Sequence, residues 1–143
     1  MNLVDESNKV DNIKQEVVEE IKKYFDEYLD SNRFESFLRW EIGDNEIRKR
    51  ETFLVIRFWE YFSGCSNTHF TCGGKTWNNP ENRHNDESLF YKGIRLYDVQ
   101  NEICNYLEKR LIQKMRDLGF SFLRQDKRKS RFDYFEAIYY FGW

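Results

Sequence analysis

Proline is almost missing from this chain. Pro80 is the only one in 143 residues, and it stands beside just 7 glycines, 2 histidines and 2 methionines. So little proline and glycine excludes a linker-like or low-complexity chain. No apolar run approaches the roughly 18 residues of a membrane helix. The opening MNLVDESNKV is acidic and lacks the apolar stretch of a secretory leader. The three cysteines, at 65, 72 and 104, are an odd number, which excludes a fully paired disulfide framework. The expectation is reduced thiols in a cytoplasmic protein with no membrane contact. With only His69 and His84 present, histidine chemistry has few places to occur.

Aromatic and charged residues fill the space left. Aromatics make up 18% of the chain (13 Phe, 9 Tyr, 4 Trp) and charged residues 34%. That apolar content argues against disorder, because large side chains offset the entropy of ordering. The length suits a single domain, 1–143, able to bury a core without metal or disulfides. The net charge of −2 conceals a gradient. Residues 1–46 carry 13 acidic and 6 basic groups, whereas residues 105–143 carry 5 acidic and 9 basic groups. The molecule is expected to be dipolar, which steers partners without naming one.

Two amphipathic helices are legible. Val10, Ile13, Val17, Val18, Ile21, Phe25 and Leu29 fall on one face of a helix over 8–30, capped by Ser7 or Asp11. Leu96, Val99, Ile103, Cys104, Leu107, Leu111, Met115 and Leu118 do the same over 96–118. Asp98 is the candidate N-cap of that second helix, and Gly119 suits its C′ position. Cys104 lies on the apolar stripe and reads as a small core residue.

The two halves share an order. At an offset of 86 residues the helical stripes superpose apolar on apolar. After a one-residue shift, Ser36-Phe37-Leu38-Arg39 matches Ser121-Phe122-Leu123-Arg124 residue for residue, a short strand in each copy. A basic turn follows in each copy (Arg48-Lys49-Arg50; Gln125 to Arg131), then an aromatic strand (Thr52–Phe62; Phe132–Phe141). This predicts an α+β fold of internally repeated α-β-β units. Repeat 1 spans about 8–62, repeat 2 about 96–143, with an inserted loop at 63–95. The hairpins form an antiparallel sheet with two helices on one face. Strands so covered should alternate apolar and polar, yet both aromatic strands are apolar on both faces. Phe132, Tyr134, Ile138 and Tyr140 oppose Phe135, Ala137, Tyr139, Phe141 and Trp143. The second face is covered by 63–95 or a partner, or it is an exposed platform.

Chemical motifs are few. Cys65, His69, Cys72 and His84 form C-x3-H-x2-C-x11-H, without the tight knuckle of structural zinc sites. Unlinked residues are the plainer reading, so no metal is expected. Cys72-Gly73-Gly74-Lys75-Thr76 ends like a phosphate loop but leads into Trp77-Asn78-Asn79-Pro80 rather than a helix. A Cys72, His84 and Asp86 nucleophile set has nothing to bring it together. Glu20-Ile21-Lys22 sits on a helix, not on the strand a metal-dependent nuclease uses. No catalytic residue and no cofactor is expected.

Charged surfaces carry the remaining signal. Lys127, Arg128, Lys129 and Arg131 form the sharpest basic patch, and Glu19, Glu20, Asp26 and Glu27 a dense acidic face. A solvated surface is the plain reading of each. The partner-binding candidates are therefore Lys127, Arg128, Lys129, Arg131, Trp77, Glu19, Glu20, Asp26 and Glu27. The leading expectation is a non-enzymatic macromolecule-binding protein, monomeric or homodimeric: a small acidic inhibitor of another protein. In general character it resembles immunity proteins and phage anti-defence inhibitors that block nucleases. One alternative is a small-molecule sensor with an aromatic cleft. Another is a nucleic-acid-binding module that uses its basic turns.

Overall fold

The computed structural model of the chain describes residues 2–44, 50–58, 64–65, 69–72, 90–129 and 135–143. Asn2 starts the first helix, because its Oδ1 accepts a hydrogen bond from the Asp5 amide at 2.8 Å. Helix α1 (Leu3–Leu29) therefore begins ahead of the expected Ser7 or Asp11 cap. Its buried face is Val17, Val18, Ile21, Phe25, Tyr28 and Leu29. Val10, on the same stripe, is 44% exposed, as the described core begins further along the helix.

Helix α2 (Asn32–Asp44) follows after a tight break and corrects the expected strand at 36–39. Ser31 Oγ accepts from the Phe34 amide at 3.3 Å, an N-cap interaction. Phe34, Phe37, Leu38 and Glu41 then recur at helical spacing and are all buried. Among the described residues three helices, not two, supply the apolar layer.

Four short elements and one long strand come next: β1 (Glu51–Phe58), β2 (Gly64–Cys65), β3 (His69–Cys72), β4 (Phe90–Tyr91) and β5 (Ile94–Arg95). A 3₁₀ turn at Leu96–Val99 leads into helix α3 (Gln100–Asp117). That turn displaces the expected Asp98 cap: the N-cap position falls on Val99, with no side-chain cap. Helix α3 ends as its sequence indicates. Gly119 has φ +95°. Its amide donates to Arg116 O at 2.9 Å, and the Phe120 amide donates to Met115 O at 2.9 Å. This bond pair is a Schellman closure, which needs a residue tolerant of positive φ. The chain finishes with β6 (Ser121–Lys129) and β7 (Phe135–Gly142).

The main sheet runs β2-β3-β1-β7-β6, and β4-β5 form a separate ribbon. Strands β6 and β7 pair antiparallel, and β7 pairs antiparallel with β1 in the register Thr52↔Phe141, Leu54↔Tyr139, Ile56↔Ala137. β3 joins the other side of β1 in parallel. The class is α+β. The repeat of α-β-β units is not seen: the first half reads α-α-β, and β1 takes its antiparallel partner from the far end of the chain. The expected basic turn from Gln125 is also corrected. Strand β6 continues through Lys129, with Lys127 opposite Ala137 and Lys129 opposite Phe135. Arg48, Lys49 and Arg131 lie outside the described residues.

Alternation divides the sheet. Leu54, Ile56, Ala137, Tyr139 and Phe141 face the helices and join one core cluster with α1, α2 and α3. Each such side chain contributes on the order of 1.5–3 kcal/mol of transfer free energy. The opposite face carries Glu51, Phe53, Val55, Ile138, Tyr140 and Gly142.

Candidate functional site

Phe53 and Tyr140 are cross-strand partners on the face away from the helices. Their ring centroids lie 6.3 Å apart in a tilted arrangement. Arg124 is the register partner of Tyr140 on its other side. Its guanidinium carbon sits 4.0 Å from the Tyr140 ring centroid, a cation–π contact. The same guanidinium reaches Glu51 Oε1 through Nη1 at 2.6 Å. Next along the sheet, Val55 and Ile138 pair and are buried.

A β-bulge completes the patch. Phe122 pairs with core-facing Phe141, so alternation puts Leu123 on this face, and the register shift between Phe122 and Arg124 brings Arg124 onto it as well, opposite Tyr140. Leu123 lies against Gly142, where an added Cβ would come within 3.1 Å of Leu123 Cδ1 and 3.4 Å of Arg50 O. Glycine at 142 therefore forms the seat for Leu123. Phe53 is 43% exposed and Leu123 48% exposed. Together they flank the half-buried Tyr140 and the Arg124–Glu51 pair, an apolar patch with one fixed ion pair.

The acidic face of α1 is largely occupied from within. Asp26 Oδ2 accepts from the Tyr106 hydroxyl at 2.8 Å, and Asp26 Oδ1 meets Arg110 Nε at 3.1 Å. Asp30 takes Lys114 at 3.1 Å. Glu20 pairs with Lys92 at 2.5 Å, and Glu19 with Lys22 at 3.4 Å. The Asp26, Asp30 and Glu20 contacts clasp α1 to α3 and to the turn after β4, whereas Glu19–Lys22 lies within α1. Of the four acidic candidates, Glu19, Glu20 and Asp26 thus serve intramolecular pairs, and Glu27 is exposed on α1.

Lys127 is exposed on β6; Arg128 and Lys129 continue the same strand, with their side chains outside the described set. Trp77 and Arg131 lie outside the described residues, as does His84. Cys65, His69 and Cys72 are placed by backbone alone, on β2 and β3. Among the described residues no three His, Cys, Asp or Glu side chains converge. Phe53, Leu123, Arg124 and Tyr140 were not singled out by sequence. The available signal was the second apolar face of the aromatic strands.

Two core groups are chemically muted. Burial pushes the Cys104 thiol up to about 12, partly offset by the charge of Lys127. Burial, then the charge of Glu108, holds the Tyr139 hydroxyl well above the usual tyrosine range. Tyr106 is also raised, first by burial and then by the hydrogen bond it donates to Asp26. None of these groups is primed as a nucleophile at neutral pH.

No family model matches the chain, and neither does any curated protein or solved structure. Among the described residues, no helix is long and apolar enough to cross a membrane.

Proposed function

We propose that this protein is a non-enzymatic inhibitor that acts by covering a surface of another protein, in the manner of immunity proteins or phage anti-defence proteins that block nucleases. The observation that carries the reading is the sheet patch, where Phe53 and Leu123 flank Tyr140 and the Arg124–Glu51 pair. Aromatic rings and arginine dominate protein–protein hot spots, because they bury large areas at modest entropic cost. Arg124 is already stacked and paired, so docking restricts it little further.

The alternatives have less support. Among the described residues, a core cavity lined by Phe25, Tyr28, Phe34, Leu54 and Leu111 is about 10 Å³, the space of a single water at most. Ligand pockets run to roughly 300 Å³ or more. For nucleic acid, Arg124, the cation stacked on Tyr140, already has its charge met by Glu51.

The test is capture of a partner by immobilised protein from bacterial lysate, wild type against a Phe53→Glu, Leu123→Glu double variant. Circular dichroism checks that both are folded. The expected outcome is a stoichiometric protein partner held by wild type and lost by the variant. Equal capture by both, or capture abolished by digesting nucleic acid in the lysate, sinks the reading.

A further inference from the structure

Strand β6 is the last strand of the main sheet. It pairs with β7 from Ser121↔Gly142 to Lys129↔Phe135. Among the described residues nothing pairs with its outer edge, by strand ladder or by other backbone hydrogen bond. A strand edge of this kind presents a row of amides and carbonyls able to accept a further strand. The bulge at Leu123 breaks the regular ladder near its start, which leaves Arg124–Lys129 as the regular stretch.

The charge of that stretch selects the occupant. Arg124, Lys127, Arg128 and Lys129 stand against the single acid Asp126. A second copy of β6 would bring the same positive excess opposite itself, and like charges across strands destabilise pairing. Lysine-rich edges guard against self-association for this reason. The same charges favour a segment of opposite sign. Resting on the protein-binding reading above, we infer that β6 takes an acidic, extended peptide segment of the protein partner as an added strand. Backbone hydrogen bonds supply the affinity, and the run Lys127, Arg128 and Lys129 supplies the charge selection. The site adjoins the Phe53–Leu123 patch, so one partner can engage both.

The experiment uses the full chain and a fluorescent peptide of alternating Glu and Thr, read by anisotropy at low salt. Comparison ligands are the same peptide with alternate amides N-methylated, a Lys–Thr peptide, and oligo-dT. The expected result is saturable binding of the Glu–Thr peptide, weakened about tenfold or more by N-methylation, which removes ladder donors. A Lys127→Glu, Arg128→Glu variant, with an unchanged melting curve, shows a comparable loss. Equal binding of the methylated peptide, tighter binding of oligo-dT, or no binding at millimolar peptide overturns the inference. So does a free dimer, seen by light scattering, that the charge reversal dissociates. Lysate capture by the charge-reversed variant separates the two readings: if the peptide fails while capture persists and still depends on Phe53 and Leu123, only the edge-strand inference falls.

Discussion

Arg124 lies 4.0 Å from the Tyr140 ring centroid while its Nη1 meets Glu51 Oε1 at 2.6 Å. One side chain thus bridges three strands of the sheet, from β6 across β7 to β1. Its side chain is still 55% exposed, so solvent screens the pair. Arg124→Ala is expected to cost no more than about 1 kcal/mol of stability. Urea denaturation measures it. A much larger loss would recast Arg124 as a structural clamp rather than a docking group.

Leu123 and Gly142 are coupled through space. A Cβ at 142 presses on the flexible end of Leu123 and approaches Arg50 O. Gly142→Ala is expected to destabilise by about 1 kcal/mol, as overpacking does. In a Leu123→Ala background the same change should cost less, and a double-mutant cycle reads the difference. Additive effects would show that Leu123 does not sit over Gly142.

Ser31 starts α2 through its contact with the Phe34 amide. Ser31→Ala is expected to lower stability by about 1 kcal/mol, the usual cost of a lost N-cap. Ser36→Ala, on the exposed side of the same helix, should stay within about 0.5 kcal/mol. If 36–39 were a strand instead, the Ser31 change would be silent.

Cys104 should resist alkylation at pH 8 in the folded protein and react after unfolding, read by mass mapping of its peptide. Its thiol is raised by burial from its ordinary value of 9.0 to about 12. A raised folded-state value means that the folded state holds its proton where the unfolded state releases it. The associated stability is therefore complete below about pH 9 and falls away as pH rises toward 12. Cys104→Ala should flatten the stability loss between those limits. Tyr139 and Tyr106, both raised, keep part of the alkaline slope in that variant.

Packing in the core sets the largest effects. Leu107 and Phe25 are essentially fully buried, and Leu118, just past α3, is 46% exposed. Leu107→Ala is expected to cost about 2–5 kcal/mol and Phe25→Ala about 3–5 kcal/mol. Leu118→Ala should cost about 0.5 kcal/mol or less. Thermal melts order the three, and a Leu118 effect matching that of Leu107 would contradict the assigned helix face.

Local features are legible in the order of the residues alone. The stripe from Val17 to Leu29 needs only the 3.6-residue period, and the Schellman closure at Gly119 only a residue that accepts positive φ. The two apolar faces of the aromatic strands were equally plain, because alternation is written into neighbouring positions. Tertiary structure alone decided which strands pair and which face is covered. Ser36-Phe37-Leu38-Arg39 is helical and Ser121-Phe122-Leu123-Arg124 extended, though the residues are the same. Ser31 and the Phe34, Phe37, Leu38 and Glu41 spacing hold the first in a helix. Gly119 stops α3, and β7 supplies hydrogen bonds to the second. The Phe53–Tyr140–Arg124 group likewise joins residues far apart in the chain, and no local period records their meeting. Backbone propensity is short-ranged, whereas strand pairing and face coverage are chosen by contacts between distant segments.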